Sequence, residues 1–172
     1  SDVCSSDLVW LSSAKMEKGC SPGSPVSFSG VLNSPVIYVT EGVLKAEAAY
    51  QRTGHPYLGN PGVSAYKELE LALNRLKAHG VKVVIEANDM DKCIRLHCDR
   101  AYSEACADCE GSSHECPKKR EKRDHIRKGC LKLYEICEKL GLICKRAVWD
   151  TDDEGYWEEN YKGIDDWELR EL

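Results

Sequence analysis

Val36-Ile37-Tyr38-Val39-Thr40-Glu41-Gly42 is the stretch on which the fold depends. A short run of β-branched and aromatic residues, opened by Pro35, suits a strand buried on both faces of a parallel sheet. Thr40-Glu41-Gly42 ends it. Residues 43–51 then turn helical in composition, with Leu44, Ala46, Glu47, Ala48 and Ala49, and Gly54 supplies the stop. A strand that runs directly into a helix begins a crossover between parallel strands.

Working outward, residues 55–58 read as a second short strand, followed by a turn at Gly59-Asn60-Pro61-Gly62. An amphipathic helix is predicted over 65–79, where Leu69, Leu73 and Leu76 fall at helical spacing and Gly80 is the C-terminal residue. Residues 81–87 form a third strand that ends in Asn88-Asp89-Met90-Asp91. A further helix spans 118–140, with Ile126, Leu133, Ile136 and Leu140 at core spacing, and residues 142–148 form a fourth strand. Cys130 and Cys137 share the face of Ile126 and Leu133 and are read as core residues, Cys144 as a strand residue. The alternation predicts an α/β fold: a three-layer sandwich with a mainly parallel four-stranded sheet.

The flanks carry less. Residues 9–34 are rich in Ser, Gly and Pro and read as an irregular lead-in. The first eight residues, SDVCSSDL, resemble the translation of a sequencing-adapter read and are set aside, so Cys4 is uninformative and the natural protein is expected to be longer. The folded domain is assigned to 35–172, with a Cys-rich insertion at 93–117.

With 172 residues, 42% apolar and 31% charged, the chain is long enough for one sizeable core. No run approaches the roughly 18 apolar residues that cross a bilayer, and no secretory layout opens the chain. A cytoplasmic location with no membrane contact is expected. The net charge of −5 argues against a surface that grips nucleic acid everywhere. The charge is uneven, however. Residues 118–128 hold seven Lys or Arg against Glu121 and Asp124, whereas 150–172 hold ten acids and two bases. Lys118, Lys119 and Arg120 are therefore the expected polyanion contacts, the alternative being a solvated helix face.

In open parallel sheets, ligands bind outside the carboxyl ends of the strands. Glu41 and the Asp89/Asp91 pair both stand at such ends, about 50 residues apart in sequence. Three carboxylates on one rim match a hard divalent cation, which takes one or two of them plus water and phosphate oxygens. Taken singly, each has a plainer role: Glu41 beside a helix N-terminus, Asp89 as the cap of the next helix. Lys45 is either an ordinary ion pair four residues on, worth ~0.3 kcal/mol, or a phosphate contact. Gly62 is either a turn glycine or a place where backbone N–H groups face an anion.

The ordered set, an apolar strand ending in Glu41-Gly42 and a later strand ending in Asp89-Met90-Asp91, resembles the TOPRIM domain of topoisomerases, bacterial primases and related nucleases. It is closer to a subgroup of TOPRIM-like domains in plasmid, phage and integrative-element proteins, often beside primase or helicase modules. Thr40 to Ala46, Met90 to Lys92 and the closing Lys162-Gly163-Ile164-Asp165-Asp166 carry that likeness. The resemblance implies Glu41 as general acid or base, Asp89 and Asp91 as ligands of Mg²⁺ or Mn²⁺, and phosphoryl transfer on DNA or RNA, single-stranded or nicked. It adds Asp165 to the acidic set, Lys45 to the catalytic one and Lys162 to the nucleic-acid contacts. A helicase or primase module, in the same or a partner chain, is the implied partner. One departure stands out, because Lys92-Cys93-Ile94 follows the two aspartates where broader TOPRIM motifs often have a glycine. A non-catalytic nucleic-acid or nucleotide binding module is the alternative function.

Once Cys4 is set aside, nine of the ten cysteines remain, and thiols or thiolate–metal bonds are expected rather than disulfides. Cys106 and Cys109 form a C-x-x-C pair that can hold one tetrahedral Zn²⁺ at ~2.3 Å per sulfur. Cys98 and Cys116 are the expected completing pair, with His97 and His114 as alternatives and a loop of free thiols as the plain reading. The polar loop has little apolar surface to bury, which is what a structural metal would offset.

Overall fold

The computed structural model describes residues 25–62, 65–97 and 115–170. These form an α/β fold with a five-stranded mixed sheet and four α-helices. The strands are β1 (Ser27–Ser29), β2 (Val36–Glu41), β3 (Tyr57–Asn60), β4 (Val83–Glu86) and β5 (Ile143–Arg146), in the spatial order β1-β3-β2-β4-β5. The helices are α1 (Val43–Thr53), α2 (Tyr66–Ala78), α3 (Pro117–Leu140) and α4 (Ile164–Leu169). Strands β2 to β5 run parallel, as expected, and β1 pairs antiparallel with β3.

The fifth strand corrects the reading of 9–34 as wholly irregular. Ser27-Phe28-Ser29 is too short and polar to show a period of two, and what recruits it is the open edge of β3. Ser29 then anchors the strand by donating from Oγ to Glu47 Oε2 of α1 at 2.6 Å. The second parallel strand also lies two residues later than expected. Pro56 has no N–H to give to the ladder, so pairing starts at Tyr57 and takes in Gly59-Asn60, which the sequence suggested as a turn.

The alternation along the strands divides the core in two. Ile37, Val39, Leu58 and Val84 pack with Leu69, Leu73 and Leu76 of α2 and Leu133, Ile136 and Cys137 of α3. On the other face, Tyr38 and Tyr57 meet Ala46 and Ala49 of α1, Ile164 of α4, and Met90, Trp149 and Trp157. Helices thus cover both faces of the sheet, an arrangement compatible with three layers. Each Leu or Ile fully withdrawn from water is worth roughly 1.5–3 kcal/mol, which gives the parallel strands their cohesion. Cys130 and Cys137 are buried, in keeping with their expected core placement.

Connections position the site. From β2 the chain passes through α1 to β3 on one side, then returns through α2 to β4 on the other. The strand order reverses between β2 and β4, so a crevice is expected at their carboxyl ends. Gly54 and Gly141, at φ 71° and 66°, end α1 and α3 in the left-handed conformation. Among the described residues, no helix is long and apolar enough to cross a membrane.

Candidate functional site

Glu41 is the last residue of β2, and Asp89 and Asp91 follow the end of β4. The Ala87 N–H donates to Val39 C=O at 2.8 Å, which carries the pairing of these two strands past β4 itself. The chain then tightens into a 3₁₀ turn, Met90–Cys93, tied by the Met90 N–H to Lys162 C=O at 2.9 Å. Asp89 and Asp91 are 3% and 4% exposed. Asp89 occupies the cap position of the turn without making a side-chain cap bond, which leaves its carboxylate to other partners.

Those partners are lysines. Lys45 Nζ stands 2.6 Å from Asp89 Oδ1, and Lys162 Nζ stands 3.0 Å from Asp91 Oδ2 and 3.4 Å from Asp89 Oδ2. The alternative of a helical pair between Lys45 and Glu41 is not realised. Gly42, at φ 94°, separates Glu41 from the helix, so the two residues do not share a helical face. Burial works against the charge of Lys162, yet Asp91 and Asp89 outweigh it and raise its pKa.

The Glu41 carboxylate contacts no hydrogen-bond or ion-pair partner among the described residues. Burial pushes its carboxyl above the usual range and Asp89 adds to this, against the charges of Lys45, Lys162 and His125. Asp165, on the first turn of α4, is also raised, by burial and then by Asp166, with Lys45 opposing. Its Oδ1 is buried with no hydrogen-bond partner among the described residues.

The expected acidic set is therefore brought together in part. Asp89 and Asp91 share Lys162, Glu41 feels Asp89, and Lys45 acts on Glu41, Asp89 and Asp165. Among the described residues no three His, Cys, Asp or Glu side chains form a ready metal cage. Hard carboxylate oxygens nevertheless suit Mg²⁺ or Mn²⁺ held by one or two protein ligands and completed by water and phosphate. Asp89 and Asp91 fit that open kind of site, and a closed four-carboxylate set is not formed.

Beneath the rim lies a charged network that the sequence reading missed. Glu86 and Lys92 are both fully buried and bonded at 2.9 Å. Glu86 also accepts from Arg146 Nε at 3.1 Å and from the Asn88 N–H at 2.9 Å. Lys92 Nζ lies 5.2 Å from the centre of the Trp149 ring, and Arg127 Nε of α3 donates to Lys92 C=O at 2.8 Å. The signal was a glutamate inside the apolar run 81–87, facing inward where a strand would otherwise carry only apolar side chains.

The remaining expected contacts are dispersed. On α3, Lys119 pairs with Glu159 at 2.8 Å and Arg120 with Glu115, while Lys118 is exposed on the first turn. Gly62 C=O accepts from the Ala65 N–H at 3.0 Å, and nothing would meet a side chain at Gly62. Cys116 is half-buried just before α3, whereas Cys98, Cys106, Cys109 and His114 lie outside the described residues. Asp150, beyond the end of β5 at Arg146, holds its own loop by accepting from the Asn160 and Tyr161 N–H groups at 2.9 and 3.0 Å. A comparison with known family models and with curated proteins finds no match to this chain.

Proposed function

We propose that residues 35–172 form a TOPRIM-like three-layer domain that performs metal-dependent phosphoryl transfer on nucleic acid, within a primase- or helicase-type replication protein of a mobile element. The observation that carries this reading is the rim itself. Glu41, desolvated and without an ion-pair partner among the described residues, faces Asp89 across two adjacent parallel strands at the point where strand order reverses. A carboxyl raised by burial is suited to exchange protons with a hydroxyl or a leaving oxygen. Lys45 and Lys162, poised on the aspartates, can turn to phosphate oxygens. Asp89 and Asp91 would hold Mg²⁺ or Mn²⁺, which when bound neutralises charge on the phosphoryl oxygens. The DNA or RNA strand is expected along the exposed basic turn that begins α3, at Lys118 with Lys119 and Arg120, and a zinc held by Cys98, Cys106, Cys109 and Cys116 would brace the loop before it. A cytoplasmic location goes with this role.

A second reading, a binding module without chemistry, is favoured by the lysine pairing of both aspartates and the absence of a three-ligand set among the described residues. Nicking, primer synthesis and strand passage on single- and double-stranded DNA separate the two. The catalytic reading expects activity that depends on Mg²⁺ or Mn²⁺ and is lost in Glu41→Gln and Asp89→Asn. Equal activity in all three proteins overturns it, and DNA binding without activity in any of them selects the module.

A further inference from the structure

Asn60 closes β3 as Glu41 closes β2, and the two are register partners in the parallel ladder. Two residues earlier, Leu58 and Val39 are partners in the same ladder and pack into the core beneath α2 and α3. Side chains two apart along a strand point to the same face, so Asn60 and Glu41 project side by side on that face. The backbone holds them there. The Gly42 N–H donates to Asn60 C=O at 2.7 Å. Gly59 permits the close approach, since a Cβ at that position would lie 2.9 Å from both Gly42 O and Val43 Cα.

Asn60 is 5% exposed, and its Oδ1 is buried without a hydrogen-bond partner among the described residues. Buried polar atoms are almost always satisfied. An amide oxygen left open beside a carboxylate that also lacks a partner puts two acceptors side by side, and a water molecule has one proton for each. Aspartates and lysines crowd the β4 side of Glu41, whereas Asn60 is neutral on the β3 side.

Resting on the phosphoryl-transfer reading of Glu41, we infer that Asn60 accepts a hydrogen bond from one proton of the attacking water and thereby orients the other proton toward Glu41. That second proton passes to the Glu41 carboxylate, and a lone pair of the water oxygen forms the new P–O bond. The old P–O bond breaks with its electron pair onto the leaving oxygen. Asn60 exchanges no proton. The reaction is therefore strand cleavage, because a sugar hydroxyl has a single proton and cannot serve both acceptors.

The test uses the full chain with Mg²⁺ and a thymidine oligonucleotide, wild type against Asn60→Ala. The kcat for cleavage should fall about 10²-fold with KM little changed, as for a misplaced reacting group. The melting temperature should stay equal or rise, because an unsatisfied acceptor is removed. A lower melting temperature with kcat unchanged makes Asn60 structural and overturns the inference, while the catalytic reading stands. If the wild type shows no turnover, the catalytic reading and the inference are overturned together. A 3′-deoxy oligonucleotide checks the source: persistence of the Asn60-dependent effect is expected for water, and its loss overturns the inference.

Discussion

Glu41 shows how one side chain can cost stability and serve a site together. Its carboxyl is raised by burial first and by Asp89 second, so the folded chain keeps a proton that the unfolded chain has already released. The stability this contributes is complete below the ordinary glutamate range and is lost as pH rises through the elevated value. Glu41→Gln, which cannot ionise, should match the wild type in acid and exceed it in melting temperature near neutrality. Thermal unfolding at the two pH values checks this, and identical melting temperatures near neutrality would remove the claim. Glu41 was legible in the sequence because an acid followed by glycine ended an apolar strand. Its relation to Lys45 was not, because sequence spacing suggested a helical pair, whereas Gly42 at φ 94° takes Glu41 out of the helix and leaves Lys45 to reach Asp89.

Among the elements, the 3₁₀ turn Met90–Cys93 depends most on what lies beneath it. Its Lys92 is fully buried against Glu86. Removing one member of such a pair leaves a buried charge short of a partner, which typically costs about 3–5 kcal/mol. Lys92→Met should fall near the lower end because Arg146 still reaches Glu86. Adding Glu86→Gln should recover much of the loss, and urea unfolding of the two single variants and the double variant measures the coupling. Strictly additive losses would show that the pair does not act as a unit. Helix α3 was readable from sequence along almost its whole length, because Pro117 suits its first turn, Gly141 its end, and the apolar period is clear from Ile126 onward. Its opening residues 117–125 bury no side chain, so their packing environment left no apolar trace. Helix α4 went unread for a related reason. Only Ile164 of its six residues is buried, and its start is marked by Asp166 accepting from the Gly163 N–H at 3.0 Å, a contact that composition does not reveal.

At the scale of the whole molecule, two cores on opposite faces of one sheet make the buried thiols reporters of global unfolding. Cys130 and Cys137 are fully enclosed, and burial pushes the Cys130 thiol up to about 11. Alkylation of the native protein should spare both, with labelling by mass spectrometry rising only across the urea transition. Labelling at the rate of an exposed thiol in native buffer would contradict this packing. The sequence by itself determined the parallel α/β succession of β2 to β5, the principal helices and the identity of Glu41, Asp89 and Asp91 as strand-end acids. These are local matters of period and punctuation, written in neighbouring residues. Only the tertiary structure decided that β1 completes the sheet and that lysines from α1 and from the segment before α4 neutralise the aspartates. It alone decided, too, that Glu86 and Lys92 lie together below the rim and that Asn60 stands beside Glu41 with its amide oxygen unpaired. Each of these joins residues far apart in the chain, and their pairing is set by strand order and by the free energy of desolvating charge, neither of which any short stretch of sequence contains.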